Sequence, residues 1–254
     1  MFDRRNLHDK YCVAFIDILG FKSLTSRHNL EQSGLFIDDA IERMKSITTI
    51  EKEKVGQRAG YIKTLQFADS VVLLFEKDPY TCLLAATKLM SLQFQLATKG
   101  IFLRGAICSG QMYVDLKNDI YYGEAWNKAV LQEGRAIYPR ILIENSLATM
   151  VTDWLKLMDE SVFEFYLSED GYHVLDTYKG HYWLDGKLRG LSTDFGYRLM
   201  MSAIQYRAFL DNIDDGVLRK YYWVANTLRE NITQYPELKD EIENLCGKIL
   251  KRLI

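Results

Sequence analysis

Apolar residues in this chain fall into short runs that alternate with longer stretches of helical spacing. The first run, Tyr11 to Ile16, contains β-branched and aromatic residues and predicts a buried strand that ends at Asp17. Gly20 then permits close backbone approach, and the segment from Phe21 to Thr25 predicts the opening of a helix. Apolar positions between 35 and 47 predict further helix, which fades in the charged segment that follows.

The next pattern predicts a β-hairpin. Two strand-like runs, 61–68 and 71–75, meet at a short polar turn, which puts Asp69 at the hairpin tip. Further predicted elements are a helix over 79–96, a strand over 101–109, a hairpin strand within 111–122, a helix from 123 towards 135, a strand over 140–143 and a helix beginning near 146.

The order of these elements, βαββαββαβα, predicts an α+β fold with a mixed, mainly antiparallel sheet covered by helices on one face. The pattern of apolar and polar residues changes near residue 160. Beyond it the patterns predict a hairpin around 168–171, a helix over 195–209, and two further helices separated near Pro236. We therefore expect a core domain over 1–160 and a β-hairpin and helical, α-rich C-terminal extension over 161–254 that packs on the core.

The composition of the chain excludes several classes of protein. The 254 residues are 48% apolar and 26% charged, as in ordinary globular proteins, and the net charge of −2 argues against broad nucleic-acid binding. The four cysteines have neither zinc nor redox spacing, which indicates reduced core thiols. Neither the apolar core of a signal peptide nor a membrane-spanning run of ~20 residues is seen. We expect a soluble cytoplasmic protein without nucleic-acid or membrane partners.

Asp17 and Asp69 are the residues that carry candidate chemistry. If their strands are neighbours, the strand ends lie ~5 Å apart, so both carboxylates can bind the same cations. Two carboxylates holding two divalent cations, Mg²⁺ or Mn²⁺, form an arrangement used for in-line attack on a phosphoryl group. The turn at Gly20 leads into a helix N-terminus, which attracts phosphate. An Asp after a core strand is also common as a simple turn or cap residue.

Four motifs resemble the class III nucleotidyl cyclases, and they occur in the family's order across roughly 15–145. They are Phe15-Ile16-Asp17-Ile18-Leu19-Gly20-Phe21, Phe67-Ala68-Asp69-Ser70, Leu103-Arg104-Gly105-Ala106-Ile107-Cys108-Ser109-Gly110 and Tyr122-Gly123-Glu124-Ala125-Trp126-Asn127. The residues of the second motif are most similar to those of the bacterial pyrimidine cyclases of Pycsar anti-phage defence. The resemblance implies a ferredoxin-like cyclase core.

The resemblance also implies roles for individual residues. Asp17 and Asp69 would bind two divalent cations, with the Ile18 carbonyl completing one coordination shell. Asn127 would come from the partner subunit of a head-to-tail homodimer and orient the ribose. The substrate-binding residues implied are Phe15, Leu19, Gly20, Phe21 and Lys63, with the backbone amides from Leu19 to Phe21 holding the β- and γ-phosphates.

Three positions depart from the family pattern. Leu131 stands where classical members have an Arg that stabilises charge on the α-phosphate, and Arg104 or Arg135 is a candidate substitute, with Arg104 preferred. Leu65 stands where adenine-specific members have a Lys, and Lys63 is displaced from that position. The acidic residue after Gly123 is Glu124 in place of the usual Asp. Asn127, Arg104 and Lys63 also have ordinary alternatives, as a helix-start residue, a surface ion-pair partner and a solvated strand residue.

The resemblance thus implies an enzyme that converts UTP, or next CTP, to its 3′,5′-cyclic monophosphate and pyrophosphate. A separate effector, activated by the cyclic nucleotide, would act in anti-phage defence. The alternatives are a catalytically idle nucleotide-binding regulatory domain, a purine nucleotide cyclase, and a distant polymerase-palm relative that extends or joins nucleotides.

Overall fold

The computed structural model describes residues 7–21, 42–43, 62–67, 69–157, 165–175, 177–179, 181–184, 187–190, 194–210, 213–232 and 235–254. Its strands are β1 (Leu7–Ile18), β2 (Ile62–Phe67), β3 (Ser70–Glu76), β4 (Leu103–Asp115), β5 (Ile120–Gly123), β6 (Ile141–Ile143), β7 (Tyr166–Leu167), β8 (His173–Val174), β9 (His181–Leu184) and β10 (Lys187–Gly190). Its helices are α1 (Pro79–Ala97), α2 (Glu124–Arg135), α3 (Asn145–Leu157), α4 (Asp194–Ala208), α5 (Asp215–Asn231) and α6 (Lys239–Leu253), with short 3₁₀ helices at Thr177–Lys179 and Pro236–Leu238.

The main sheet is mixed and mainly antiparallel, as the sequence predicted. Its order is β2-β3-β1-β4-β6-β8-β7, with β5 paired to β4. β1 is antiparallel to both β3 and β4, whereas β6 is parallel to β4. The order β2-β3-β1-β4, with two parallel strands separated by an antiparallel one, is the ferredoxin-like arrangement. The central position of β1 places its end, at Asp17, between two neighbouring strands.

Helices cover both faces of the sheet. On one face, α1 and α3 pack against alternate residues of β1, including Cys12, Ala14 and Ile16. On the other face, Val13 of β1 joins a cluster with Ala125 and Ala129 of α2. The sequence predicted helices on one face, and α2 on the opposite face adds to that arrangement. This addition matters because Asp17 alternates with Ile16 and lies on the α2 side.

The last third of the chain is helical, as predicted, and it packs onto the first part. α4, α5 and α6 surround the fully buried Tyr197, and Phe94 of α1 and Phe102 belong to the same cluster. Part of this region also joins the main sheet, since β8 pairs with β6 and β7 pairs with β8. The region from 165 onward therefore contributes both a helical layer and two edge strands.

Several sequence predictions fall outside the described residues. These are most of the helix over 35–47, where only residues 42–43 are described and are helical, and the continuation of the helix after Phe21. All four cysteines are buried and free, and the Sγ atoms of Cys12 and Cys82 lie 3.9 Å apart. Within the described ranges, each helix is too short or too polar to cross a lipid bilayer.

Candidate active site

Asp17 lies at the end of β1, between the two strands that pair with it. In the strand register, Asp17 is paired with Ser70 on β3 and with Arg104 on β4. The Asp17 side chain is only 15% exposed. The hydroxyl of Ser70 donates to Oδ1 of Asp17 at 3.3 Å. Strand pairing thus holds the carboxylate in a half-enclosed position at the sheet end.

Asp69 adjoins this position through the turn between β2 and β3. The backbone N–H of Ile18 donates to the carbonyl of Asp69 at 3.2 Å, so the two chain segments are in direct contact. Burial, followed by the negative charge of Asp69, raises the pKa of Asp17 from 3.8 to about 6. Asp17 and Asp69 are therefore electrostatically coupled carboxylates at the ends of adjacent strands.

Arg104 pairs with Asp17 and so counteracts the rise in the pKa of Asp17. Its Nε and Nη2 atoms both donate to Oδ2 of Asp17 at 3.3 Å, and its charge lowers the pKa of Asp17. The same Nε lies 2.7 Å from Oε1 of Glu133 on α2. Because the single Nε–H is directed at Asp17, Oε1 of Glu133 is buried without a hydrogen bond. The guanidinium thus lies between two carboxylates and satisfies only one of them fully.

The sequence did not lead us to predict Glu133 as a site residue. Its burial could have been predicted, because Glu133 continues the four-residue spacing of Ala125 and Ala129, the buried residues of α2. A carboxylate on a buried stripe indicates either a buried ion pair or a functional site. The role of Glu133 depends on its contact with Arg104, which lies on a strand 29 positions earlier in the chain.

The turn after β1 differs in part from the predicted phosphate loop. The N–H of Leu19 donates to the carbonyl of Phe102 at 2.8 Å, so in this structure the Leu19 amide is engaged within the chain. Gly20 has φ +76°, which favours glycine, and a Cβ placed there would meet no atom within 4 Å. Phe21 has helical backbone geometry and packs against the α1 side of the core. The predicted phosphate-binding role of Gly20 and Phe21 stays a prediction.

Asn127 does not join Asp17 within the described structure of one chain. It lies exposed on α2, whereas Ala125 and Ala129 of the same helix are buried against the sheet. Leu131, one turn further along the helix, is 60% exposed. The arrangement leaves Asn127 on a surface that a second subunit can contact.

Lys63 and Phe15 occupy different surroundings. Nζ of Lys63 lies 2.7 Å from Oδ1 of Asp119 and above the Tyr121 ring, on the β4–β5 hairpin. Lys63 is four residues before Phe67, a separation of about 13 Å along a strand, so the structure does not bring it to the Asp69 turn. Phe15 is partly buried and packs against the cluster beneath α2.

The carboxylates fit a cation site that a ligand completes. Among the described residues, no group of three or more His, Cys, Asp or Glu side chains is placed to hold a metal ion by itself. Mg²⁺ is commonly bound by one or two carboxylates together with substrate phosphates and water. Asp17 and Asp69 supply two such carboxylates, and the ionised form of Asp17 is costly in the absence of a further cation.

Comparison with known proteins leaves the function to be inferred from the site. No protein-family model and no curated protein sequence matches the chain. The fold is similar to that of a bacterial light-regulated adenylyl cyclase, with a TM-score of 0.42 and 12% identity over 78% of this chain and 56% of that one. It is also similar to the S helix-GGDEF-EAL portion of Vibrio cholerae LapD bound to c-di-GMP, with a TM-score of 0.34 and 11% identity over 96% and 68% of the two chains. The chain thus spans little more than half the length of the adenylyl cyclase.

Proposed function

We propose that this protein is a metal-dependent nucleotidyl cyclase that converts a pyrimidine nucleoside triphosphate, UTP in preference to CTP, to its 3′,5′-cyclic monophosphate and pyrophosphate. One observation carries the proposal. Asp17 and Asp69 lie at the ends of adjacent strands, coupled electrostatically, beside the turn at Gly20. Two carboxylates beside such a turn, after which the sequence predicts a helix, suit a nucleoside triphosphate with its divalent cations.

Asp17 and Asp69 would hold the cations, and the amides at Gly20 and Phe21 would bind the terminal phosphates. A divalent cation at this position would neutralise the triphosphate and lower the pKa of the attacking 3′-hydroxyl. The Ile18 carbonyl is the remaining backbone oxygen that the family resemblance assigns to the coordination shell. The raised pKa of Asp17 supports this role, because a nearby cation would offset the cost of its ionised form.

Arg104 and Glu133 suggest how this chain compensates for Leu131. Arg104 is paired with Asp17, and Glu133 offers it a second, buried acceptor 2.7 Å from Nε. When a cation takes the place of the guanidinium on Asp17, Arg104 can transfer its hydrogen bond to Glu133 without leaving the site. A guanidinium held there remains near the bound triphosphate, where it can stabilise charge on the α-phosphate.

A homodimer would supply Asn127 from the partner subunit. The exposed position of Asn127 fits this role, and it lies among exposed apolar side chains of α2, with Val130 40% and Leu131 60% exposed. Phe67, which packs edge-on against Trp126, is also exposed. A contiguous apolar surface around a polar residue is typical of a protein interface.

The choice of a pyrimidine base rests on the family resemblance and on two side chains. Leu65, at the position of the adenine-reading Lys, packs against the sheet cluster under α2. Lys63 is engaged with Asp119 and Tyr121, away from the Asp69 turn. Neither side chain supports adenine recognition. By the same resemblance, the cyclic nucleotide would be a second messenger read by a separate effector in anti-phage defence.

A second candidate is a catalytically idle domain that binds nucleotide and regulates a partner. The observation that favours it is the pairing of Arg104 with Asp17, because a guanidinium occupies the carboxylate that a cation would need. In that case Arg104 would be a permanent replacement for the cation, and nucleotide would bind without turnover.

Product analysis distinguishes these possibilities. The purified protein is incubated with each of the four common ribonucleoside triphosphates and Mn²⁺, and products are identified by mass spectrometry. We expect cyclic UMP as the main product, cyclic CMP as the minor one, and no product with Asp17→Ala. A cyclic purine product would overturn the base assignment only. Linear or dinucleotide products would indicate a polymerase-like reaction, and nucleotide binding without any product would indicate the idle regulatory domain.

A further inference from the structure

A cavity of about 430 Å³, which Asp17 does not line, lies where the sheet edge meets the C-terminal helices. We call it the junction pocket. Its walls come from the segment around Tyr138 and Arg140 before β6, from the turn at 168–170 between β7 and β8, and from α5. The volume is within the range of small-molecule sites, which occur preferentially where structural units meet.

One wall of the junction pocket is aromatic. The rings of Tyr138 and Trp223 are stacked, with centroids 5.2 Å apart and planes 9° from parallel. Tyr178 packs edge-on against Trp223, and its hydroxyl donates to the carbonyl of Pro139, which fixes the ring. The Arg140 guanidinium already lies over the Tyr138 ring, 5.9 Å from its centroid. Trp223, the residue type that attracts cations most strongly, is therefore the ring of this wall that a further cation would contact.

The positive charge in the pocket is cancelled. Arg140 is 5% exposed and donates from both terminal nitrogens to the carboxylate of Asp170. This pairing lowers the pKa of Asp170, which therefore stays ionised at neutral pH. Arg140 and Asp170 together contribute no net charge, and the electrostatic character of the pocket is set by its other residues.

Two further carboxylates line the pocket. Glu169 and Glu230 are both exposed, and within the described parts of the chain neither forms an ion pair with a Lys or Arg. Glu230 accepts a hydrogen bond from Nδ2 of Asn226 at 2.9 Å. The nearby Arg229 donates to Asn226 and does not line the cavity. The described lining thus has one positive and three negative side chains.

We infer that the junction pocket binds a small organic cation that carries an ammonium group on a hydrocarbon body. The carboxylates of Glu230 and Glu169 attract the charge, and Trp223 packs against the body and contributes a cation–π interaction. A nucleoside triphosphate is disfavoured there because its phosphates would face these carboxylates. The inference concerns binding alone and holds whether or not the protein is a cyclase.

The test uses the full chain and spermidine as the probe, with binding measured by isothermal titration calorimetry. We expect saturable one-site binding that weakens about fivefold in Glu230→Gln, as loss of one partly screened charge implies. Trp223→Phe removes the better cation–π partner and should weaken binding two- to fivefold by a rough estimate. Glu243→Gln, an exposed carboxylate on α6 outside the cavity, is the matched control and should bind as the wild type does.

Three outcomes would overturn the inference. The first is the absence of saturable binding of spermidine to the wild-type protein. The second is equal weakening in Glu230→Gln and Glu243→Gln, which would indicate diffuse attraction to an acidic surface. The third is unchanged affinity in both Glu230→Gln and Trp223→Phe. Since these two substitutions alter different walls of the cavity, failure of one variant to fold still leaves the other as a test.

Discussion

Replacement of Asp17 by Asn should stabilise the metal-free protein above pH 6. The carboxylate is buried beside Asp69, and its pKa is raised from 3.8 to about 6. Below pH 4 the folded and unfolded states both carry a protonated Asp17, so this residue has no effect on the free energy of unfolding. Between about pH 4 and 6 the unfolded state releases the proton while the folded state keeps it, so stability is lost across this interval and stays at the lower level above pH 6. Asn is uncharged throughout and escapes this loss.

The magnitude follows from the pKa. A rise from 3.8 to about 6 corresponds to about 3 kcal/mol, since each pKa unit equals about 1.4 kcal/mol. This value is an upper limit, because Asn accepts hydrogen bonds from Arg104 less strongly than an ionised carboxylate does. The stability difference between Asp17→Asn and wild type should therefore grow from about zero near pH 4 to as much as about 3 kcal/mol at pH 8.

Urea unfolding at several pH values measures this difference directly. Asp153→Asn is the matched control, because Asp153 is a 63% exposed carboxylate that pairs with Lys156 on the surface of α3, and it should change stability by less than about 0.5 kcal/mol. Added Mn²⁺ should reverse the order at pH 8, because it stabilises a wild-type protein that binds it and has less effect on Asp17→Asn.

A different result would refute the electrostatic reasoning. If Asp17→Asn is less stable than wild type at both pH 5 and pH 8 without metal, the Asp17–Arg104 pair is a net stabilising ion pair. Asp17 would then not be strained in a way that a divalent cation could relieve, and the idle-domain hypothesis would gain support.

Three other substitutions test the site and the elements around it. Glu133→Gln removes the negative charge of the second partner of Arg104, so the guanidinium should remain on Asp17 and Mn²⁺ affinity should weaken about fivefold in calorimetry. Unchanged affinity would exclude Glu133 from the site. Gly105→Ala would bring a Cβ within 2.4 Å of a backbone oxygen and should lower the free energy of unfolding by about 1–3 kcal/mol or more. At Gly134 an added Cβ would meet no atom within 4 Å, so Gly134→Ala should raise the free energy of unfolding by about 0.5–1 kcal/mol. Equal effects of the two alanines on urea unfolding would contradict the packing of β4 against β1.

The sheet and the position of Asp69 could be predicted because local patterns determine them. The apolar run before Asp17 and the polar break at Asp69 each mark a strand end without reference to the rest of the chain. Gly110 was harder to interpret. β4 continues through it to Asp115, and the glycine is needed because a Cβ there would lie 2.9 Å from the backbone nitrogen of Ala125.

The Arg104–Glu133 network could not be predicted, because it depends on how α2 crosses the sheet. Arg104 comes from β4 and Glu133 from the last turns of α2, and only the packing of that helix on the Asp17 face brings them within 2.7 Å. The engagement of the Leu19 amide by Phe102 has the same origin, since it follows from the path of the chain into β4. Periodicity identifies which residues are buried, and it does not identify their partners.

Formation of a cyclic nucleotide from UTP tests the central claim most directly. Wild-type protein with UTP and Mn²⁺ should yield cyclic UMP and pyrophosphate in equal amounts, and Asp17→Ala and Asp69→Ala should each abolish both products while Asp153→Asn retains them. Nucleotide binding without product in the wild type, or product that persists in both Ala variants, would contradict a cyclase reaction that depends on Asp17 and Asp69.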